Sequence, residues 1–478
     1  MNKIKYLLLS LTLILAASCH DDKTEGDYAP PVANEILADK EMRAVWMATA
    51  YGIDWPQKEY DAAKQKKMYT DYLDKFVSYN INAVLVQIRP MGDAFYESQY
   101  EPWSKEISGT LGKDPAYDVL QFMIEETQAR GLEFHAWMNP YRISTKASTD
   151  KNFPPLHPKI DSSLTTDYAN TRMYNPALPE VRQRIVDIVK EVITKYDVDG
   201  IQFDDYFYPA KVDNIDFKDA KEFEKYGQAF GNVADFRRYN VNSVVQDVSK
   251  LIKETKPGVL FSISPAPDQT SNYNNLYADI TLWCQNEWVD IIIPQLYMST
   301  GGSFKERVNW WPKFSYKAVP MVGYALYKFV DPAQSDLLFR NKDELKLQFQ
   351  RANLEPKIKG SVMFSAQSFK KDSDPAYQGL FQTLKEMYRD PAVIPFIGRK
   401  TVADPSAAVA VNINGATLNW TAAADLRSVV YRIDKTQIRV VAITSEKSLL
   451  LKEKGDYFVT TLNRDNTESA ISNMVSFK

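Results

Sequence analysis

From about residue 41 to residue 390, short apolar runs alternate with longer helix-patterned segments, and this alternation constrains the fold more than any other feature. The runs fall at 42–49, 82–89, 132–139, 198–204, 259–264, 290–297, 319–326 and 360–367. Segments 119–130, 179–196, 233–256 and 342–354 lie between them and read as helices. The third carries Val241, Val244, Val245, Val248, Leu251 and Ile252 at helical intervals. Parallel strands need crossover helices to connect them. The pattern therefore predicts an α/β fold, a (β/α)8 TIM barrel over residues 41–392. An open doubly wound sheet competes, but no Gly-rich phosphate fingerprint follows the first strand.

Both ends of the chain differ from this middle. Beyond Asp390-Pro391, residues 395–478 hold short alternating runs at 409–413, 416–420, 428–434, 439–445, 456–463 and 473–477. Turn-like clusters separate these runs, which predicts a small all-β sandwich after the barrel. Leu418-Asn419-Trp420, Tyr431-Arg432-Ile433 and the 457–464 run resemble strands of a fibronectin type III domain, which implies a spacer or a carbohydrate-binding accessory. At the other end, Lys3 and Lys5 precede an apolar run over 7–17 that is too short to span a bilayer. Ile14-Leu15-Ala16-Ala17-Ser18-Cys19 resembles a bacterial lipobox, which makes 1–19 a signal peptide and Cys19 a lipidated residue. An ordinary signal peptide with an incidental cysteine is the alternative. Residues 20–40 read as a polar tether, and its Asp21-Asp22 pair resembles the signal that sends some lipoproteins to the cell surface. The expected location is the outer membrane, facing the periplasm or the exterior.

Composition narrows the partners. A net charge of −3 leaves no electrostatic footprint for nucleic acid. With Cys19 lipidated, Cys284 is left without an intrachain disulfide partner. Three histidines (His20, His135, His157), one of them in the tether, argue against a His-rich zinc site. No metal and no cofactor are expected.

Chemistry gathers at the fourth strand, where the 196–209 stretch ends in Asp204-Asp205-Tyr206-Phe207-Tyr208. The two-residue period puts Ile201 and Phe203 on one face and Gly200, Gln202 and Asp204 on the other. Charged groups at a strand tip among aromatics cost desolvation energy, which argues for a use. The plainer reading is a helix cap with an ion pair. The same parity brings further polar side chains to the carboxyl ends of the strands. These are Gln87 and Arg89, followed by Asp93; His135, Trp137 and Asn139, followed by Tyr141 and Arg142; Ser262 and Ser264, followed by Asp268; Gln295 and Tyr297; and Ser365 and Gln367. Glycoside hydrolysis needs two carboxyl groups around the scissile bond. Asp204 is the first choice for nucleophile or base; Asp205, at the turn itself, is a candidate partner, a substrate-hydroxyl acceptor or a helix cap, with Asp93 and Asp268 as further candidates for the acid. Arg89, Asp93, His135, Trp137, Asn139, Tyr141, Gln202, Tyr206, Asp268, Gln295 and Tyr297 are the candidate substrate-binding residues. Glu287 precedes the sixth strand and so belongs to the opposite end of the barrel.

Several of these segments also carry a family resemblance. Arg43-Ala44-Val45-Trp46-Met47-Ala48-Thr49 with Ile53-Asp54-Trp55-Pro56 resembles the opening of the glycosyl-hydrolase-like 10 family. The likeness continues through Val86-Gln87-Ile88-Arg89-Pro90, Glu101-Pro102-Trp103-Ser104, the 131–142 segment, Pro179-Glu180-Val181-Arg182, Asp204-Asp205, Ile263-Ser264-Pro265 and Pro294-Gln295-Leu296-Tyr297. It implies a TIM barrel in a bacterial envelope protein, with glycosidase activity on peptidoglycan glycan strands. Two departures lie at the mouth. Gln202 stands where the family often has histidine, and residues 266–273 replace a Phe-Gly-Ile-Trp-Arg-type loop.

Three functional readings follow. The first is an envelope-anchored glycoside hydrolase acting on peptidoglycan glycan strands or a related polysaccharide. The second is a non-catalytic glycan-binding lipoprotein with Trp137, Tyr206, Tyr208 and the Trp310-Trp311 pair as a stacking platform. For that pair, burial between helix and barrel is the plainer expectation. The third is a metal-dependent hydrolase built around His135 and Asp204, one histidine short of the usual ligand set.

Overall fold

The computed structural model describes residues 40–205, 207–209, 211–212, 215–434 and 437–478. The signal segment, Cys19, Tyr206 and the tether up to residue 39 lie outside the described residues.

Eight parallel stations form the barrel wall: Met42–Met47, Ala83–Arg89, Glu133–Met138, Gly200–Phe203, Leu260–Ile263, Ile291–Ile292, a seventh in two pieces, and Gly360–Phe364. The seventh station differs from the continuous strand expected over 319–326. Val319–Pro320 pairs with the sixth strand and Val322–Tyr324 pairs with the eighth, so the chain steps from one neighbour to the other at Met321. The eighth strand pairs in turn with the first, and the sheet comes round on itself. The sixth strand is also shorter than the 290–297 expected, because Pro294 has no N–H to give the ladder.

Every residue of the first three strands is buried, as a parallel sheet covered on both faces requires. Ala44, Trp46, Leu85, Trp137, Ile291, Met321 and Val362 fill the barrel interior. Residues of the other parity, such as Val45, Val84, Phe134, Ile201 and Phe261, meet the surrounding helices. The helix Val233–Thr255 buries Val241, Val244, Val245, Val248 and Ile252. Asn232 caps its start by accepting a hydrogen bond from the Asp235 N–H at 3.0 Å.

After the third strand the chain makes an excursion that the sequence pattern did not reveal. Arg142–Thr145, Thr165–Tyr168 and Thr171–Tyr174 form a three-stranded antiparallel sheet, with the last strand in the middle. Its strands are short and only partly buried, so no apolar alternation marks them. Tyr174 from this sheet reaches into a buried polar knot. Its hydroxyl donates to Glu101, whose Oε1 lies 2.8 Å from the Arg89 guanidinium. Both charged side chains are almost wholly excluded from solvent.

The C-terminal region forms two antiparallel sheets of three and four strands around Val411, Leu418, Trp420, Val430, Tyr457 and Val459. It meets the barrel at the amino ends of the third and fourth strands. Asn466 donates to Glu133 at 2.6 Å, and Arg464 pairs with Asp197 and with Asp199. The carboxyl ends of those strands, where Asp204 lies, point the other way.

The Arg89–Glu101 pair generates a stability prediction. Glu101→Ala leaves a buried guanidinium without its counter-charge, and such losses cost about 3–5 kcal/mol. Chemical denaturation is expected to show this loss, and Arg89→Met combined with Glu101→Leu is expected to recover most of it. A double variant as unstable as Glu101→Ala would contradict this account.

Candidate active site

The site is built outward from Asn139, one residue beyond the third strand. Its side-chain oxygen accepts the backbone N–H groups of Arg142 at 2.8 Å and Tyr141 at 3.2 Å. This local turn is a common use of asparagine, and it decides which way the amide faces. The NH2 group is left to face Asp204, with Nδ2 at 3.1 and 3.2 Å from the two carboxylate oxygens. Trp137 pairs in register with Gln202 and so points into the barrel beside it. Its indole N–H donates to Asp204 Oδ2 at 3.0 Å. Asp204 is buried, at 2 % exposure, and receives donors from Trp137 in the third strand and Asn139 just beyond it.

Asp205 has different surroundings. Its Oδ1 accepts a hydrogen bond from Gln295 Nε2 at 3.1 Å, and the same amide also donates to the Ser264 carbonyl at 3.0 Å. Burial, and then the charge of Asp204, push the Asp205 carboxyl up to about 6. Gln295, its own backbone N–H and Arg142 pull the other way without cancelling them. Beneath lies a polar floor. Trp46 donates to the Gln202 oxygen at 3.0 Å, and the Gln202 nitrogen donates to Ser264 Oγ at 2.7 Å. Both ends of Gln202 are thereby used and its orientation is fixed. The result is one carboxylate held by N–H donors beside a carboxyl that keeps its proton up to about pH 6, an arrangement suited to acid–base chemistry.

The structure thus brings Trp137, Asn139, Gln202, Asp204, Asp205 and Gln295 together. Tyr297 stands nearby, its ring 6.0 Å from Phe364, which in turn packs edge-on against Trp46. The other expected residues among those described lie elsewhere. Arg89 follows a register shift in the second strand, so it pairs with Met138 and turns behind the wall towards Glu101. His135 is in the barrel but deeper, with Nε2 3.0 Å from Glu133 at the amino end of its strand. Burial alone would raise the Glu133 carboxyl; the His135 and Asn466 contacts instead hold it below its ordinary value. His135 and Asp204 are therefore not brought together, and among the described residues no three metal-ligating side chains cluster. Tyr141 is wholly buried. Asp268 caps the helix Gln269–Asn275 and pairs with Arg307 at 2.6 Å. Asp93 lines a separate cavity on the same face.

Among the described members of the aromatic platform, Trp137 is at the site while Tyr208 and Trp311 are not. Tyr208 is fully buried, with ring contacts to Phe217 and Tyr277. Phe207 packs on Trp283. Trp311 is buried and donates to the Pro267 carbonyl, as the plainer expectation for that pair had it. Sequence reasoning missed Trp46, although the Ala44, Trp46, Ala48 parity of the first strand places it inward. It also passed over the chemistry of Asp54, which is fully buried and accepts from the Ala48 and Gln367 N–H groups and the Ser365 hydroxyl. Its carboxyl is pushed up to about 6, chiefly by burial.

With this geometry in place, comparisons with known proteins give a consistent picture. The family model described as glycosyl hydrolase-like 10 matches residues 41–332. The glycosyl hydrolase YngK of Bacillus subtilis is 39% identical over 393 residues, covering 76% of this chain and 75% of that protein. The glycosyl hydrolase DigH of Escherichia coli K12 is 32% identical over 402 residues, covering 75% of this chain and 91% of that one.

The raised Asp205 carboxyl has a sign that can be checked. Its folded-state value lies above its unfolded one, so its stabilising contribution is full below about pH 4 and is lost as pH rises through about 6. Asp205→Asn is expected to raise unfolding stability at pH 7.5 by roughly 1–2 kcal/mol and to change little at pH 4. Denaturant titration at the two pH values checks this; a gain confined to pH 4 would contradict it.

Proposed function

Because this chain belongs to the glycosyl hydrolase-like 10 family, we propose that it hydrolyses glycosidic bonds in peptidoglycan glycan strands or a related polysaccharide. The observation that carries this reading is the pair of consecutive carboxyl groups at the tip of the fourth strand, held in opposite environments. Asp205 gives its proton to the glycosidic oxygen as the bond from the anomeric carbon breaks. Asp204 faces the positive charge that develops on that carbon, as nucleophile or as base for the incoming water. Trp137 and Asn139 keep the Asp204 carboxylate in place during the change of charge, so little reorganisation is needed. Gln295 does the same for Asp205.

The same reading places the protein at the bacterial outer membrane through a lipid on Cys19, with the C-terminal sheets as a fibronectin type III-like accessory. Its support is the lipobox-like 14–19 segment and the strand motifs of the C-terminal region. The barrel's open face is directed away from that accessory, which leaves the site free for a polymeric substrate.

Two measurements bear on the proposal. Asp204→Asn is expected to lower release of reducing ends from glycan strands by about a thousandfold or more while leaving the folded spectrum unchanged. In the unsubstituted protein kcat/KM is expected to fall as pH rises through about 6, where Asp205 gives up the proton that the leaving oxygen needs. Undiminished turnover by the Asp204 variant would refute the assignment. For the anchor, labelled palmitate is expected to enter the protein in cells and to be absent from Cys19→Ala; equal labelling of the two would exclude it.

A further inference from the structure

On the same face of the barrel as the carboxylate pair, the loops that follow the first, second and third strands border a separate cavity of about 140 Å³. Most of its wall is apolar, with Ile143, Ile160 and Leu156 among its sides. Asp93 also lines it, at 7 % exposure, and Asp93 Oδ1 has no hydrogen-bond partner within the protein. A buried carboxylate oxygen without a donor is costly and uncommon. Burial pushes the Asp93 carboxyl up to about 6; Ser104 draws it down and Glu101 adds to the rise. Above pH 6 the group is therefore a charged acceptor in an otherwise largely apolar wall.

Two further features tie the cavity to a sugar chain. Tyr51 stands at its edge, 51 % exposed, in a left-handed backbone conformation (φ 58°) that is uncommon for so large a residue. Its hydroxyl is 2.6 Å from Thr145 Oγ1, which braces the ring across two loops with a face open to solvent. The cavity is also joined to the candidate catalytic pair. Pro90 forms part of its wall, and the Pro90 carbonyl accepts from the Arg142 guanidinium, whose own backbone N–H is held by Asn139.

We propose that this cavity is a sugar subsite flanking the cleaved bond, which takes an uncharged unit of the glycan by accepting its O–H or N–H donors on Asp93 and stacking it against Tyr51. The inference rests on the glycan reading above and adds a selectivity to it. Glu106, also in the wall and 9 % exposed, places a second acidic side chain beside Asp93, so a sugar bearing a carboxylate is disfavoured there. Lys105 is more exposed and its ammonium lies 4.0 Å from Glu106, so it does not reverse that balance.

The test uses the full chain. With Asp204→Asn present to prevent cleavage, calorimetric titration is expected to show chitohexaose or cellohexaose binding at least about tenfold more tightly than hexagalacturonate. Adding Asp93→Asn is expected to weaken the neutral hexasaccharide by about ten- to a hundredfold, the range for a hydrogen bond to a charged group. Tyr51→Ala is expected to weaken it as well without altering Asp93. In the cleavage-competent chain, Asp93→Asn is expected to raise KM at unchanged kcat. Unaltered affinity in Asp93→Asn, equal binding of the acidic hexamer, or a loss confined to kcat would each overturn the subsite while leaving the glycosidase reading intact. A chain that neither binds nor cuts any glycan would overturn both.

Discussion

One hydrogen-bonded fork, the side chain of Asn139, organises the mouth of this barrel. Its oxygen fastens the chain as it leaves the third strand, and its nitrogen fastens Asp204 at the end of the fourth. Only an amide supplies acceptor and donor in that geometry; aspartate would set a second negative charge against Asp204. The excursion sheet begins at Arg142, directly after this turn. That sheet in turn carries Tyr174 to Glu101 and so secures the loop after the second strand. The floor provided by Gln202 and Ser264 then links the fourth and fifth strands to Trp46 on the first.

How much of this was legible in the sequence depends on the range of the interaction concerned. The barrel was legible because burial on both faces makes each strand an apolar run and each crossover an amphipathic helix. The pairing of Trp137 with Gln202 and the inward parity of Asp204 follow from the same two-residue period. That period failed at Arg89, where a single extra residue in the second strand turns the side chain out through the wall. It also could not say how far down the barrel His135 lies, since parity gives a face but not a depth. Tyr208 and Trp311 illustrate a third limit. Aromatics next to carboxylates suggest a sugar platform, but the same residue types fill the layer between barrel and helices, and here they do so. The three-stranded excursion left no trace in the pattern, because half-exposed four-residue strands need no apolar alternation.

Two of the raised carboxyl groups show how the fold spends stability on its mouth. Asp54 is satisfied by two backbone N–H groups and a hydroxyl, and it joins the loop after the first strand to the end of the eighth. Asp205 has the Gln295 amide and its own backbone N–H as donors, and a like charge beside it. The first cost is met by hydrogen bonds that close the ring. The second is only partly offset within the protein.

The contact between Asn466 and Glu133 has a consequence for how the two parts of the chain relate. Glu133 is a barrel residue, buried, and already engaged with His135 inside the wall. One of its two oxygens is completed by a side chain some three hundred positions later, from the β-sheet region. The barrel therefore does not finish its own polar interior. The β-sheet region in this sense supplies part of the polar closure at the amino end of the barrel.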